Sequence, residues 1–119
     1  MVAYLLLAAT MVLPTYEEAL SKSTKLNQPL IVIVGANWCV PCQALKEDLP
    51  KMGLKNCVIT YVDIDERPDI AKQLMAEGES IPQIVIFGRA DSRAPWKRVR
   101  AIGRQTKDRL LDMLQRAVR

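Results

Sequence analysis

The sequence predicts an α/β domain in which a central mixed sheet of four to five strands is covered by helices on both faces. Segments rich in β-branched residues alternate with segments of helical periodicity, which is typical of strands joined by helices. The strongest apolar segment, residues 30–36, contains no polar alternation, as expected for a strand buried on both faces. The last strand pattern instead alternates apolar and basic residues, which indicates a sheet edge.

The chain begins with an uncharged, mostly apolar run over residues 1–13, which Pro14 ends. This run is shorter than the roughly 20 residues that a membrane-spanning helix needs, so no transmembrane span is expected. It also lacks the Lys or Arg that opens a signal peptide. We therefore predict that residues 1–14 form an apolar arm or first strand of a single domain covering residues 1–119, with a remnant of an export signal as the alternative.

Local capping signals mark the predicted helices. Thr15 and Glu18 have the spacing of a capping box, which predicts a helix over residues 16–25. A proline at the first helical position predicts another helix over residues 68–77, which Gly78 ends. The last helix, capped by Thr106, is predicted to turn one apolar stripe towards the sheet, formed by Leu110, Leu111, Leu114, Ala117 and Val118.

Further strands are predicted over residues 57–62, 84–87 and 96–102. The polar loop between the last two indicates an antiparallel hairpin at the sheet edge. Strands that helices separate are expected to pair in parallel through right-handed crossovers.

Charge is unevenly distributed along the chain. Residues 89–119 hold ten basic and three acidic side chains, a net charge of +7, whereas residues 1–88 carry −3, which gives +4 overall. A cationic segment can bind an acidic protein or a nucleic acid. The same charges can also protect an exposed sheet edge. Since Trp96 is the single aromatic residue of this segment, a nucleic-acid surface is not expected.

The histidine and cysteine content excludes several classes of enzyme. The chain contains no histidine, so triad hydrolases, histidine-ligated zinc enzymes and haem attachment through histidine are excluded. Three cysteines are too few, and an odd number, for a disulfide framework. Their positions must therefore indicate what they do.

Cys39 and Cys42 stand where the buried strand gives way to a helix. The free amides and the dipole of a helix N-terminus favour the thiolate of Cys39, and the thiolate is the nucleophile. One helical turn brings Cys42 close enough to form a disulfide with Cys39. A zinc site would need about four ligands, and Cys57, expected to be a small buried hydrophobe, is the remaining cysteine. The pattern predicts redox chemistry without a metal.

The motif Trp38-Cys39-Val40-Pro41-Cys42, followed some forty residues later by Ile81-Pro82 before another buried strand, resembles the thioredoxin superfamily over residues 15–119. The resemblance implies a thioredoxin-like fold and a thiol–disulfide oxidoreductase that needs no cofactor. It also implies a cis-proline loop that faces the cysteines. The site residues that it implies are Cys39 and Cys42 as the catalytic pair and Trp38, Val40, Pro41, Ile81, Pro82 and Gly103 as the substrate-binding surface.

Two departures from the thioredoxin pattern concern the mechanism. The buried aspartate of the family, six residues before the first cysteine, is Ile33 here, and the lysine that partners it aligns with Tyr61. Resolution by Cys42 is therefore expected to use Glu47, Asp63 or water as the proton acceptor, or to be slower.

The leading functional hypothesis is a reductant of protein disulfides that a recycling reductase or another electron donor restores. The Val-Pro pair between the cysteines is similar to that of reducing members of the superfamily. The rival hypothesis is a non-catalytic accessory module that docks an acidic protein or nucleic acid through the basic residues 89–119. We expect a monomer in the cytoplasm, or in the periplasm or outside the cell if residues 1–13 are a signal remnant.

Overall fold

The computed structural model describes residues 12–78 and 80–119, so most of the predicted arm, residues 1–11, lies outside the described part of the chain. Four strands form one mixed sheet in the order β2-β1-β3-β4. Their bounds are Leu30–Gly35 for β1, Val58–Asp63 for β2, Gln83–Gly88 for β3 and Lys97–Ile102 for β4. Every residue of β1 is buried, as its unbroken apolar sequence predicts.

The strand directions confirm one expectation and correct another. β1 and β2 pair in parallel, and β3 and β4 pair antiparallel, both as predicted. β3, however, runs antiparallel to β1, although a helix separates it from β2. The register explains the reversal: Gly35 lies beside Asp63, and Val34 lies beside Gln83, so β2 ends and β3 begins at the same end of the sheet. A parallel β3 would have required the connection to return to the opposite end.

Two helices cover each face of the sheet. Their bounds are Tyr16–Leu26 for α1, Val40–Asp48 for α2, Pro68–Leu74 for α3 and Lys107–Ala117 for α4, and a short 3-10 turn, Leu49–Met52, follows α2. One core packs α1 and α3 against the sheet through Ala19, Ile70 and Leu74. The other packs α2 and α4 against the opposite face, with Leu45 and Leu110 at its centre. Thr15 caps α1 through the predicted capping box with Glu18.

α3 is shorter than predicted. Its cap residue Met75 is extended, and the side chain of the buried Gln83 binds the backbone of the next residue, Ala76. The Gln83 Oε1 accepts from the Ala76 amide at 3.0 Å, and Nε2 donates to the Ala76 carbonyl at 3.5 Å. This long-range pairing takes the place of the last helical turn. Arg100 of β4 also donates to the carbonyl of Leu74 at the helix end.

The buried stripe of α4 differs from the predicted one. Leu110, Leu114 and Ala117 are buried as expected, and Met113 completes the stripe. Leu111 and Val118 are exposed. The buried spacing i, i+3, i+4, i+7 is the one that a straight helix presents to a flat sheet, whereas the predicted stripe spread over too wide an arc.

Candidate active site

Cys39 and Cys42 are joined by a disulfide at the junction of β1 and α2. Their Cα atoms are 5.2 Å apart, within the range that a disulfide requires. Cys39 is the N-cap of α2, and its Sγ accepts a hydrogen bond from the Cys42 amide at 3.3 Å. Cys39 is 8 % exposed and Cys42 is 0 % exposed. Within the disulfide, Cys39 therefore has accessible surface that another molecule can approach, and Cys42 has none.

The residues beside the first cysteine form an exposed apolar rim. Trp38 is 68 % exposed and Val40 is 79 % exposed, and Pro41 lies in the first turn of α2. The indole Nε1 of Trp38 donates to Asp65 Oδ2 at 2.8 Å. This hydrogen bond fixes the edge of the ring while its apolar surface remains open to solvent.

The Ile81-Pro82 loop lies against the cysteines. The peptide bond between the two residues is cis. Ile81 packs on the small buried cluster formed by Ala36, Cys39 and Cys42. Gly103, just after β4, has a φ of +83° and donates its amide to the Pro82 carbonyl at 2.7 Å. The structure thus brings the predicted residues Trp38, Val40, Pro41, Ile81, Pro82 and Gly103 to the same end of the sheet as the disulfide.

Gly35, the last residue of β1, makes the space for the second cysteine. A Cβ at this position would stand 2.7 Å from Cys42 Cβ, 2.9 Å from Cys42 Sγ and 2.7 Å from the hydroxyl oxygen of Tyr61. Real Cβ atoms do not approach other heavy atoms so closely. Because Gly35 has no side chain, Cys42 in the first turn of α2 and the Tyr61 hydroxyl can both lie close to the end of β1.

Gln43 links this hydroxyl to the backbone. Its Nε2 donates to the Tyr61 hydroxyl at 3.1 Å and to the Ala36 carbonyl at 2.9 Å. In the sequence, Tyr61 stands out only as the residue aligned with a lysine of the family, and no pattern marks Gln43 as a site residue. No short-range pattern could have found this pair, since 18 residues separate them.

Asp63 and Glu47, which the sequence suggests as proton acceptors, each bind other groups in the structure. Asp63 is buried, and its Oδ2 accepts from the Asn37 amide while Oδ1 accepts from the amides of Asp65 and Glu66. Glu47 lies on an exposed face of α2 and pairs with Lys51 at 3.5 Å. Asp63 therefore caps the turn that follows β2, and Glu47 points to solvent.

The position of the family's buried aspartate is apolar in this chain. Ile33 is fully buried and belongs to the same core cluster as Leu45 and Ile84. Tyr61 is its direct partner in the parallel register of β1 and β2. The Tyr61 phenol lies close to Cys42, because its oxygen and Cys42 Sγ are both within 3 Å of the point where a side chain of Gly35 would begin.

Cys57 is separate from the redox pair. It is half-buried beside the core of α2 and α4, and burial raises the pKa of its thiol. A thiol in this state is a weaker nucleophile at neutral pH than a helix-capping cysteine. Within residues 12–78 and 80–119, no three His, Cys, Asp or Glu side chains are placed to share a metal ion. No helix of the same residues is long and apolar enough to cross a membrane.

A redox-active disulfide at a helix N-terminus, on this fold, defines a thiol–disulfide oxidoreductase. Comparison with known proteins gives the family. A family model described as Thioredoxin matches residues 8–116, and the chain belongs to the thioredoxin family.

Individual relatives agree with this assignment. The thioredoxin of Rickettsia felis is 30 % identical over 93 residues, which cover 76 % of this chain and 82 % of that protein. The oxidised mitochondrial thioredoxin 3 of Saccharomyces cerevisiae is 25 % identical with a TM-score of 0.61, over 89 % of this chain and 94 % of that one. A mutant thioredoxin of Halobacterium salinarum, at 20 % identity and a TM-score of 0.64, shares the fold over 92 % of this chain and 97 % of its own.

Proposed function

We propose that the protein reduces disulfide bonds of other proteins, with Cys39 as the attacking and Cys42 as the resolving cysteine. The observation that carries this assignment is the unequal accessibility of the two residues. Cys39, at the N-terminus of α2, keeps 8 % of its surface exposed, while Cys42 is fully buried. The amide of Cys42 points at Cys39 Sγ, so it can stabilise a thiolate there once the disulfide is reduced.

The reaction consists of two thiol–disulfide exchanges. The Cys39 thiolate attacks one sulfur of the substrate disulfide, the substrate S–S bond breaks, and one substrate cysteine leaves as a thiolate that takes a proton from solvent. The Cys42 thiolate then attacks Cys39 Sγ in the mixed disulfide, and the second substrate cysteine leaves in the same way. The substrate gains two electrons and two protons, and the enzyme becomes the disulfide that the structure shows. An external reductase must return those two electrons.

The substrate surface in this proposal is the rim around the disulfide. Trp38 and Val40 supply exposed apolar surface, and Pro41 lies beside them in the first turn of α2. The Ile81-Pro82 segment, held by the hydrogen bond from Gly103, supplies the backbone against which a substrate strand would pair. We place this reaction in the cytoplasm, where protein thiols are kept reduced.

We also propose that residues 1–119 act as one monomeric domain. The outer strand β4 carries exposed basic side chains at Lys97 and Arg98. Such charges oppose the pairing of two copies along their edges. Analytical ultracentrifugation at several concentrations tests this, and a concentration-independent dimer would contradict it.

A reduction assay with insulin tests the roles of the cysteines. Cys39→Ser should abolish reduction, whereas Cys42→Ser should accumulate a mixed disulfide with the substrate, visible on a non-reducing gel. Cys57→Ser is the matched control and should keep the rate of the unchanged protein. If Cys39→Ser and Cys42→Ser trapped substrate equally well, the assignment of Cys39 as attacker and Cys42 as resolver would be wrong.

The direction of electron flow needs its own measurement. Titration of the Cys39/Cys42 pair against glutathione should give a potential nearer the roughly −270 mV of thioredoxins than the roughly −120 mV of strong oxidants. A value above about −180 mV, the potential of a disulfide isomerase, would show that the protein is not a reductant.

A further inference from the structure

The Tyr61 hydroxyl lies beside the buried cysteine without contacting a carboxylate. Its oxygen and Cys42 Sγ are both within 3 Å of the point where a side chain of Gly35 would begin, so the two atoms border the same small gap. Gln43 Nε2 occupies one lone pair of the hydroxyl oxygen. Among the hydrogen bonds of residues 12–78 and 80–119, the hydroxyl accepts from this amide and donates to no other group. Its proton is therefore available for an acceptor next to Cys42.

Resolution of a mixed disulfide creates such an acceptor. Cys42 must lose its proton before it can attack, and a buried thiolate without a hydrogen bond is costly. The carboxylate that the thioredoxin resemblance places at position 33 is replaced by Ile33. Asp63 accepts hydrogen bonds from three backbone amides, and Glu47 is exposed and paired with Lys51.

We propose that Tyr61, oriented by Gln43, donates a hydrogen bond to the Cys42 thiolate and so makes Cys42 an effective resolving nucleophile without a carboxylate at position 33. This inference rests on the proposed two-step exchange. The Cys42 proton passes to solvent, the hydroxyl proton stays on Tyr61, and the Cys42 sulfur then attacks Cys39 Sγ while the bond between Cys39 and the substrate sulfur breaks. The substrate leaves as a thiolate and is protonated by solvent, so no further oxidant or reductant is needed.

The surroundings keep the phenol in the form that can donate. Burial, together with the negative charges of Asp63 and Glu66, raises the pKa of Tyr61, so the hydroxyl is protonated at neutral pH. Lys46 belongs to α2, and its Nζ lies 4.6 Å from the centre of the Tyr61 ring. This cation–π contact helps to fix the position of the ring. The other charged groups that line the same depression are Glu47, Lys51 and Arg67.

Tyr61→Phe tests the proposal because it removes the hydroxyl and keeps the ring under Lys46. Reduced protein is mixed with 5,5′-dithiobis(2-nitrobenzoate) in a stopped-flow instrument from pH 5 to 10, with Cys57→Ala in every variant. The first nitrothiobenzoate released reports attack by Cys39, and the second reports resolution by Cys42. Tyr16→Phe is the matched control, since it removes a phenol hydroxyl that packs against the opposite core.

The expected signature is a shift of the pH midpoint for the second release. Loss of a hydrogen bond to a charged group should move this midpoint up by about one pH unit in Tyr61→Phe. Below the midpoint the second release should be about three-fold slower, because a ten-fold lower thiolate fraction is partly offset by the higher nucleophilicity of a more basic thiolate. Above both midpoints the order should reverse, with Tyr61→Phe about three-fold faster, because both thiolates are then fully formed and the more basic one is the better nucleophile. Gln43→Leu, which removes the orienting amide, should give a smaller shift in the same direction.

The outcomes are distinct. An unchanged midpoint in Tyr61→Phe, or a rate lowered by the same factor at every pH, would overturn the proposal. If Tyr61→Phe does not fold, as judged by thermal unfolding, Gln43→Leu decides, and an unchanged midpoint there would also refute it. Failure of the proposed function would appear differently: unsubstituted protein that releases both equivalents here would not reduce insulin.

Discussion

Replacing Gly35 by alanine tests the close approach on which the site depends. The added Cβ would stand 2.7 Å from Cys42 Cβ and from the Tyr61 hydroxyl oxygen. The hydroxyl is the end of a long side chain and can move, but Cys42 Cβ is fixed by the first turn of α2 and by the disulfide. The helix start must therefore shift away from the end of β1.

The expected cost follows from two opposing effects. Overpacking of a well-filled interior costs about 1–3 kcal/mol. Alanine recovers about 0.4–1 kcal/mol, because it restricts the unfolded chain more than glycine does. The net loss should be about 1–2 kcal/mol, which lowers the urea midpoint of the oxidised protein by about 1 M for a domain of this size.

Gly53→Ala is the matched control for this prediction. Gly53 has a φ of +73°, and the nearest atom to an added Cβ is Lys107 Nζ at 3.9 Å. Its alanine variant should lose about 1 kcal/mol from backbone strain and leave the pH midpoint of Cys42 resolution unchanged. Gly35→Ala should change both quantities. A variant at Gly35 that unfolds at the same urea concentration as the parent, with the same pH midpoint, would refute the packing argument.

Three further predictions concern the core. Gln83→Leu removes both hydrogen bonds to the backbone of Ala76 and should cost about 1–2 kcal/mol in urea unfolding; no loss would show that the α3 end does not depend on them. Burial raises the pKa of Cys57 above its ordinary value of 9.0, so this thiol should contribute a fall in the free energy of unfolding that begins near pH 9 as pH rises. Cys57→Ala should remove that contribution and leave the fall that Tyr61, whose pKa burial also raises, adds at higher pH; an identical alkaline profile would contradict the assignment. Ile33→Asp should destabilise the fold by several kcal/mol at pH 7 and by less near pH 4, where the new carboxyl is protonated, as circular dichroism can show.

The sequence predicts best the features that depend on neighbouring residues. Thr15 and Glu18 specify the capping box through three-residue spacing, and Cys39 marks the start of α2 in the same way. Such signals are local, because a cap satisfies amides within one turn. The α/β class, the buried β1 and the position of the cysteine pair follow from them.

Features that depend on distant residues could not be predicted in the same way. The sequence predicts parallel pairing for β3, whereas β3 is antiparallel to β1. The direction of β3 depends on the end of the sheet at which the chain re-enters it. The hydrophobic pattern of a strand does not specify that end. The shortening of α3 depends on Gln83, which lies beyond the helix in sequence. In α4, the hydropathy of Met113 and Leu111 does not distinguish the buried side chain from the exposed one. Packing against the sheet decides it.

The absence of a carboxylate beneath Cys42 and the presence of a phenol there belong to one arrangement. Ile33 and Tyr61 lie side by side on β1 and β2. Ile33 fills the core, and the hydroxyl of Tyr61 lies near Cys42. A buried carboxylate would have to be desolvated in every state of the enzyme. A neutral phenol carries no such cost, and its hydrogen bond strengthens only when Cys42 is charged. In this chain the stabilisation of the thiolate thus coincides with the step that uses it, while Ile33 remains part of the apolar core that contains Leu45 and Ile84.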